Sequence, residues 1–153
     1  MLTDYFLDSS AVVKKYVDEA GSDVVRRLLA GRDNGRFHVA HVTLVEVVAA
    51  LHRRSRRGDV DARSGGRLIE DFRRELPRFA YVIEVSPTRV EEAAALAARH
   101  VLRGYDAVQL SVAMYVNTLA LPEGREPITL VSADRELNIA AQAEGLHVLD
   151  PTD

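Results

Sequence analysis

Tyr5-Phe6-Leu7-Asp8-Ser9-Ser10-Ala11-Val12-Val13-Lys14-Lys15-Tyr16 decides how the rest of the chain is read. Three bulky apolar residues stop abruptly on an acid, the pattern of a short buried strand with a charge at its carboxyl end. Ser9 or Ser10 then caps a helix that carries Val12, Val13, Tyr16 and Val17 on one face. A strand feeding directly into a helix opens a crossover unit, and the remaining sequence repeats that alternation.

Gly21 and Ser22 break the first helix, and Val24, Val25, Leu28 and Leu29 mark a second. Residues 37–40 form a second short strand. Thr43 opens a helix with Leu44, Val45, Val47, Val48 and Leu51 as its apolar positions, ending near Gly58. Residues 59–76 continue as a helix weakened by Gly65 and Gly66 and stopped by Pro77. Aromatic and β-branched residues make 79–85 a third strand. Pro87 and Thr88 start an alanine-rich helix that ends at Gly104, and another helix runs from Tyr105 or Asp106 to about residue 119. Pro122-Glu123-Gly124 is a turn, 128–131 a fourth strand, 134–143 a helix with Gly145 at its C-terminus, and 146–149 a last strand. Strands alternating with helices predict a parallel sheet covered on both faces by right-handed crossovers.

Bulk properties narrow the function. At 153 residues the chain has the length of one domain with a real core. A net charge of −3 argues against a protein that coats DNA nonspecifically. The absence of cysteine excludes a disulfide framework, a thiol nucleophile and thiolate-bound zinc. No apolar run approaches the roughly 20 residues needed to span a bilayer, and the first residues carry no basic segment of the kind that opens a signal peptide. A cytosolic location is the expectation.

The acids fall where ligands bind in open α/β sheets. Asp8 closes the first strand, and Asp134 follows the fourth after Ser132-Ala133. Both therefore lie at carboxyl ends of strands. Glu46 sits inside Leu44-Val45-Glu46-Val47-Val48, where an unpaired carboxylate is costly and calls for a cation or an arginine or lysine partner. Asp106 starts a helix within Gly104-Tyr105-Asp106-Ala107-Val108-Gln109-Leu110. Taken singly, Asp8, Asp106 or Asp134 reads as a helix cap. Converging in one cleft, the four repel one another unless divalent ions neutralise them, and oxygen-only ligation favours Mg²⁺ or Mn²⁺ over zinc.

Four stretches in order resemble the signatures of the PIN domain: residues 5–16, Thr43-Leu44-Val45-Glu46-Val47-Val48-Ala49-Ala50-Leu51, residues 104–110, and Val131-Ser132-Ala133-Asp134-Arg135-Glu136-Leu137. The closing 144–151 is also typical, so the resemblance spans essentially the whole chain, 1–153, as a single PIN domain. Size and single-domain form look most like the VapC toxins of bacterial toxin–antitoxin pairs. The resemblance implies a three-layer α/β fold, a parallel five-stranded sheet in the order 3-2-1-4-5 flanked by helices. In that order Asp8 and Asp134 face each other at the reversal point. It also implies an endoribonuclease in which Asp8, Glu46, Asp106 and Asp134 hold one or two Mg²⁺ or Mn²⁺ ions that activate water for in-line attack on RNA phosphodiesters. A VapB-like antitoxin and a second copy of the chain are the implied partners, with no membrane involved.

Around these acids, Ser10, Ser132 and Asn138 are expected to support the metal ligands rather than to be ligands. Arg53, Arg54, Arg56 and Arg57, in a chain whose only lysines are Lys14 and Lys15, read equally as RNA contacts, antitoxin contacts or a solvated helix end. Tyr105 reads as a packing residue. The five histidines show neither metal-ligand spacing nor a serine–acid pattern. Three other readings compete, of which a DNA nuclease of the related flap type would need extra helical elements to grip a duplex, for which this compact chain has little room. One keeps the fold but not the catalysis, leaving a module that binds RNA or protein; loss of an acid would mark it. Another, a phospho-acceptor receiver, needs an acceptor Asp ending strand three and a lysine after strand five; here that strand ends Ile83-Glu84-Val85-Ser86 and no lysine follows Lys15.

Overall fold

The computed structural model describes residues 2–31 and 35–153. Five parallel strands, β1 (Thr3–Leu7), β2 (Gly35–Ala40), β3 (Tyr81–Ile83), β4 (Thr129–Val131) and β5 (His147–Leu149), lie in the order β3-β2-β1-β4-β5. Helices α1 (Ser9–Tyr16) and α2 (Ser22–Ala30) connect β1 to β2, and α3 (Thr43–Arg56) and α4 (Ala62–Phe79) connect β2 to β3. The chain then crosses by α5 (Pro87–His100) and α6 (Gly104–Ala120) to the other half of the sheet, where α7 (Arg135–Ala143) joins β4 to β5. Strand order reverses between β1 and β4, which pair with Leu7 opposite Val131. The expected three-layer fold and strand order are those observed.

Successive strand residues point to opposite faces, and the two halves of the core follow that alternation. Phe6, Ala40 and Leu130 pack with α5, α6 and α7, whereas Leu7, Phe37, Val39 and Val131 pack with helices α1 to α4. A strand buried on both sides has no polar face, which is why β1 reads as an uninterrupted apolar run.

Several element ends differ from the sequence reading. Asp8, not Ser9 or Ser10, caps α1, accepting from the Ala11 amide; both serines lie inside the helix with their hydroxyls free for other work. Pro77 does not stop α4, which continues to Phe79 because a proline in the last turn forfeits only one terminal hydrogen bond. That extension consumes Phe79 and leaves β3 only three residues. Gly104 does not end α5: that helix stops at Val101, whose φ of 55° puts a β-branched residue in the left-handed region, and Gly104 is already the first residue of α6. The α3–α4 pair is tight at Gly65, where a Cβ would lie 2.7 Å from Ser55 Cβ. No helix among the described residues is long and apolar enough to cross a membrane.

Candidate metal centre

Asp8 and Asp134 end up side by side because β1 and β4 are neighbours and each acid is the first residue past its strand pair or close to it. Each also caps the helix that follows: Asp8 Oδ1 accepts from Ala11 N at 3.0 Å and Asp134 Oδ1 from Leu137 N at 3.0 Å. The cap reading and the site reading are therefore compatible. One oxygen of each fixes the helix; the other accepts from Ser132 in Asp8 and from Arg103 in Asp134. Ser10 Oγ donates to Asp8 Oδ1 at 2.7 Å and accepts from Ala133 N, while Ser132 Oγ donates to Asp8 Oδ2 at 2.9 Å and accepts from Asp134 N. The two serines thus tie the β1–α1 and β4–α7 turns together around one carboxylate. Asn138 touches none of the acids; its amide donates to the Ser132 carbonyl at 2.8 Å and braces that turn from behind.

Glu46, in the first turn of α3, has a different partner from the one expected. Among the described residues no arginine or lysine pairs with it. Gln109 Nε2 donates to its Oε1 at 2.6 Å and Ser9 Oγ to its Oε2 at 3.0 Å. Gln109 Nε2 is itself held by Thr43 Oγ1 at 2.9 Å. Neutral dipoles orient the carboxylate without cancelling its charge. Asp106, in the first turn of α6, is not a cap. That position belongs to Arg103, whose side chain makes no capping hydrogen bond and reaches the acids instead.

The electrostatics link all four acids. Burial first, and then the charge of Glu46, push the Asp8 carboxyl up to about 6, despite the lowering effect of the Ser10, Ala11 and Ser132 hydrogen bonds. Burial raises Glu46, with Asp106 adding repulsion; burial raises Asp106, with Asp134 and Glu136 adding theirs. Negative charge is therefore concentrated at the carboxyl edge of the sheet; Arg103 meets Asp106 and Asp134, while Asp8 and Glu46 have no cationic partner among the described residues. An all-carboxylate donor set carrying excess charge suits a hard divalent cation. Among the described residues no three acidic or histidine side chains stand close enough to enclose an ion directly, so ligation here would run partly through water or follow a shift of side chains.

Beside the acids, α1, α3 and the start of α6 enclose a cleft of about 480 Å³ lined by Ser9, Glu46, Ala50, Arg53 and Tyr105 among others. Glu46, Ala49, Ala50 and Arg53 share one face of α3. Arg54 lines the cleft too, but is paired with Glu19 at 2.6 Å, and Arg57 pairs with Asp59. Arg53 and Arg56 are exposed and make no ion pair among the described residues. Tyr105 is 56% exposed at the mouth of the cleft, not packed as its sequence context suggests.

Sequence reasoning missed Ser9, Thr43, Gln109 and Arg103. Gln109 left a signal: it is a polar residue on an apolar helix, three positions after Asp106 and hence on the same face. Arg103, three before Asp106, left the same one.

The PIN domain family model matches residues 5–143. Ribonuclease VapC45 of Mycobacterium tuberculosis is 31% identical over 153 residues, covering 95% of this chain and 97% of that protein. Among solved structures, PAE2754 from Pyrobaculum aerophilum superposes with a TM-score of 0.62 at 24% identity, covering 95% of this chain and 83% of that one. VapBC2 from Rickettsia felis, bound to a DNA fragment from its promoter, superposes with a TM-score of 0.64 at 14% identity, covering 96% of this chain and 98% of that one. Four acids in register on a 3-2-1-4-5 sheet, a family match over most of the chain and a full-length relative agree: the chain belongs to the PIN domain family and is related to the VapC ribonucleases.

Proposed function

We propose that the chain is a divalent-metal-dependent endoribonuclease, with Mg²⁺ or Mn²⁺ as the ion, and the toxin of a toxin–antitoxin pair. The observation that carries this reading is the gathering of Asp8, Glu46, Asp106 and Asp134 at the switch point of the sheet, with no cation on Asp8 or Glu46 among the described residues and one exposed arginine on the other two. A bound ion, or two, would make water acidic enough to attack a phosphodiester and would offset the charge growing on the phosphate. The chain's own residues prepare the place. Ser10 and Ser132 fix both oxygens of Asp8. Gln109 and Ser9 aim Glu46. The cap bond from Leu137 N holds one oxygen of Asp134, and the other carries only the long contact to Arg103.

Kinship with Ribonuclease VapC45 supports an RNA substrate, and likeness in fold to the toxin–antitoxin complex from Klebsiella pneumoniae supports an antitoxin partner. A homodimer, and one PIN domain over 1–153, belong to the same reading. The test is cleavage of single-stranded RNA with Mn²⁺ by wild type and by Asp8→Asn. Loss should exceed about a hundredfold, since even groups that only support a metal ligand are worth roughly ten- to a hundredfold. Equal cleavage by the two proteins would remove Asp8 from the centre. No cleavage of RNA by wild type, with intact binding of it, would favour a binding module instead.

A further inference from the structure

Arg103 stands at the N-terminus of α6, where a cation meets the unfavourable end of the helix dipole and makes no capping bond. Its location is explained by the acids. Nε lies 3.4 Å from Asp106 Oδ2 and Nη2 lies 3.3 Å from Asp134 Oδ2, so one guanidinium bridges two of the four carboxylates. Both distances exceed the roughly 2.7–2.9 Å of a strong charge-assisted bond. The side chain is also 79% exposed, whereas Asp106 and Asp134 are mostly covered. At the other end of the sheet the same chain shows what a permanent clamp looks like: Asp4, 2% exposed, is held by Arg36 at 3.0 Å and Arg125 at 2.6 Å. By comparison Arg103 is loosely held, on the solvent side of its partners, and free to leave.

We propose that Arg103 is a displaceable stand-in cation: it neutralises Asp106 and Asp134 when no divalent ion is bound, competes with that ion, and on release holds a phosphate of the RNA strand. The inference rests on the metal-dependent reading above. A single positive charge shared by two carboxylates occupies the position in which a doubly charged ion would gain more, so loading expels the guanidinium. Expelled, it remains tethered at the rim by the turn Val101-Leu102 before α6, and its planar fork suits two oxygens of a phosphate. Arg103 is then a positioning residue with opposite effects on the two ligands: it weakens the ion and strengthens the RNA.

That opposition gives the test. Mn²⁺ affinity of the metal-free full chain is measured by calorimetry for wild type, Arg103→Gln and Arg103→Lys. Affinity for a short mixed-sequence single-stranded RNA is measured by fluorescence anisotropy in saturating Ca²⁺. Arg103→Gln should bind Mn²⁺ roughly tenfold tighter at low salt, an advantage that shrinks as salt screens the lost charge. The same variant should bind RNA roughly tenfold more weakly, with Arg103→Lys intermediate in RNA affinity because it keeps charge but not the fork. A residue that merely supports the fold would weaken both ligands when replaced, and that result overturns the proposal. Unchanged Mn²⁺ affinity overturns it as well, making the bridge an ordinary surface ion pair. Tighter Mn²⁺ with unchanged RNA affinity overturns the phosphate role. If wild type itself binds no Mn²⁺, the metal-centre reading fails and takes this inference with it, an outcome distinct from a failure confined to Arg103.

Discussion

Asp8 is covered on every side, accepts three hydrogen bonds and still has its carboxyl raised to about 6. Burial outweighs three good donors, and the like charge of Glu46 adds a smaller push in the same direction. A carboxyl raised in this way makes a definite mark on stability. Between the ordinary carboxylate pKa near 4 and about 6, the folded chain keeps a proton that the unfolded chain has lost. Stability therefore falls as pH rises through that window, by about 3 kcal/mol for Asp8 alone. Glu46 and Asp106, both raised, act in the same direction. Asp4, Glu19 and Glu75, all lowered, contribute stability that is lost only when pH falls below the ordinary range; His38, lowered by burial from 6.5, acts in the opposite direction within the window, so the Asp8 effect is read from the difference between wild type and Asp8→Asn. Urea unfolding in chelator from about pH 4.5 to pH 7 should show wild type losing stability with rising pH. Asp8→Asn should lose less of it, and at neutral pH should be the more stable protein. Saturating Mn²⁺ should abolish the wild-type decline. Parallel curves for the two proteins would mean that Asp8 is not under the strain assigned to it.

At the scale of elements, the legible features were those written in short-range pattern. The strand ends at Asp8 and Asp134 follow from apolar runs that stop on a charge, and α3 follows from its periodic valines and leucines. What local pattern could not show was the use of groups across the fold. Ser9 and Gln109 are 37 and 63 residues from Glu46 in sequence, so no spacing rule brings them to it. Helix ends were misplaced where tertiary packing overrode a breaker, as at Pro77, or where a residue other than glycine took the left-handed turn, as at Val101. Gly65 and Gly66 separate these two kinds of information. Both read as weak points in a helix. Gly66 has open space where a side chain would be, so Gly66→Ala should stabilise by about 1 kcal/mol, the ordinary propensity gain. Gly65 faces Ser55 Cβ at 2.7 Å, so Gly65→Ala should destabilise by about 1–3 kcal/mol by forcing α3 and α4 apart. Adding Ser55→Gly should recover part of that loss. Thermal unfolding of the variants checks the sign at each glycine; equal gains at both would show that the helices are not in close contact there.

The whole molecule places opposite electrostatic arrangements at the two ends of one sheet. At the carboxyl end, two of the four acids share a single exposed arginine and the other two have no cationic partner among the described residues. At the amino end, a single buried acid, Asp4 of β1, gathers Arg36 and His38 from β2 and Arg125 from the segment before β4. The first arrangement is short of positive charge and suits ion binding; the second has its buried acid balanced by cations and suits fastening. Asp4 is lowered despite its burial, because His38 and the two arginines outweigh desolvation. Its three partners come from both sides of β1, so the contact locks together the halves of the sheet whose opposite edges at the other end must present Asp8 and Asp134 in register. Replacing Asp4 leaves Arg36 without its counter-charge and Arg125 with only the exposed Glu123, a class of change that costs roughly 3–5 kcal/mol when fully enclosed. Arg36 is one-third exposed and can turn to solvent, which brings the expectation for Asp4→Ala to the lower end, about 3 kcal/mol. The loss should appear in urea unfolding at pH 7 and diminish below the ordinary carboxylate range, where wild-type Asp4 is itself protonated. Mn²⁺ affinity of the folded fraction should fall as well, since the register that sets the metal centre loosens. A variant as stable as wild type would show that the β1–β4 register is held by apolar packing alone.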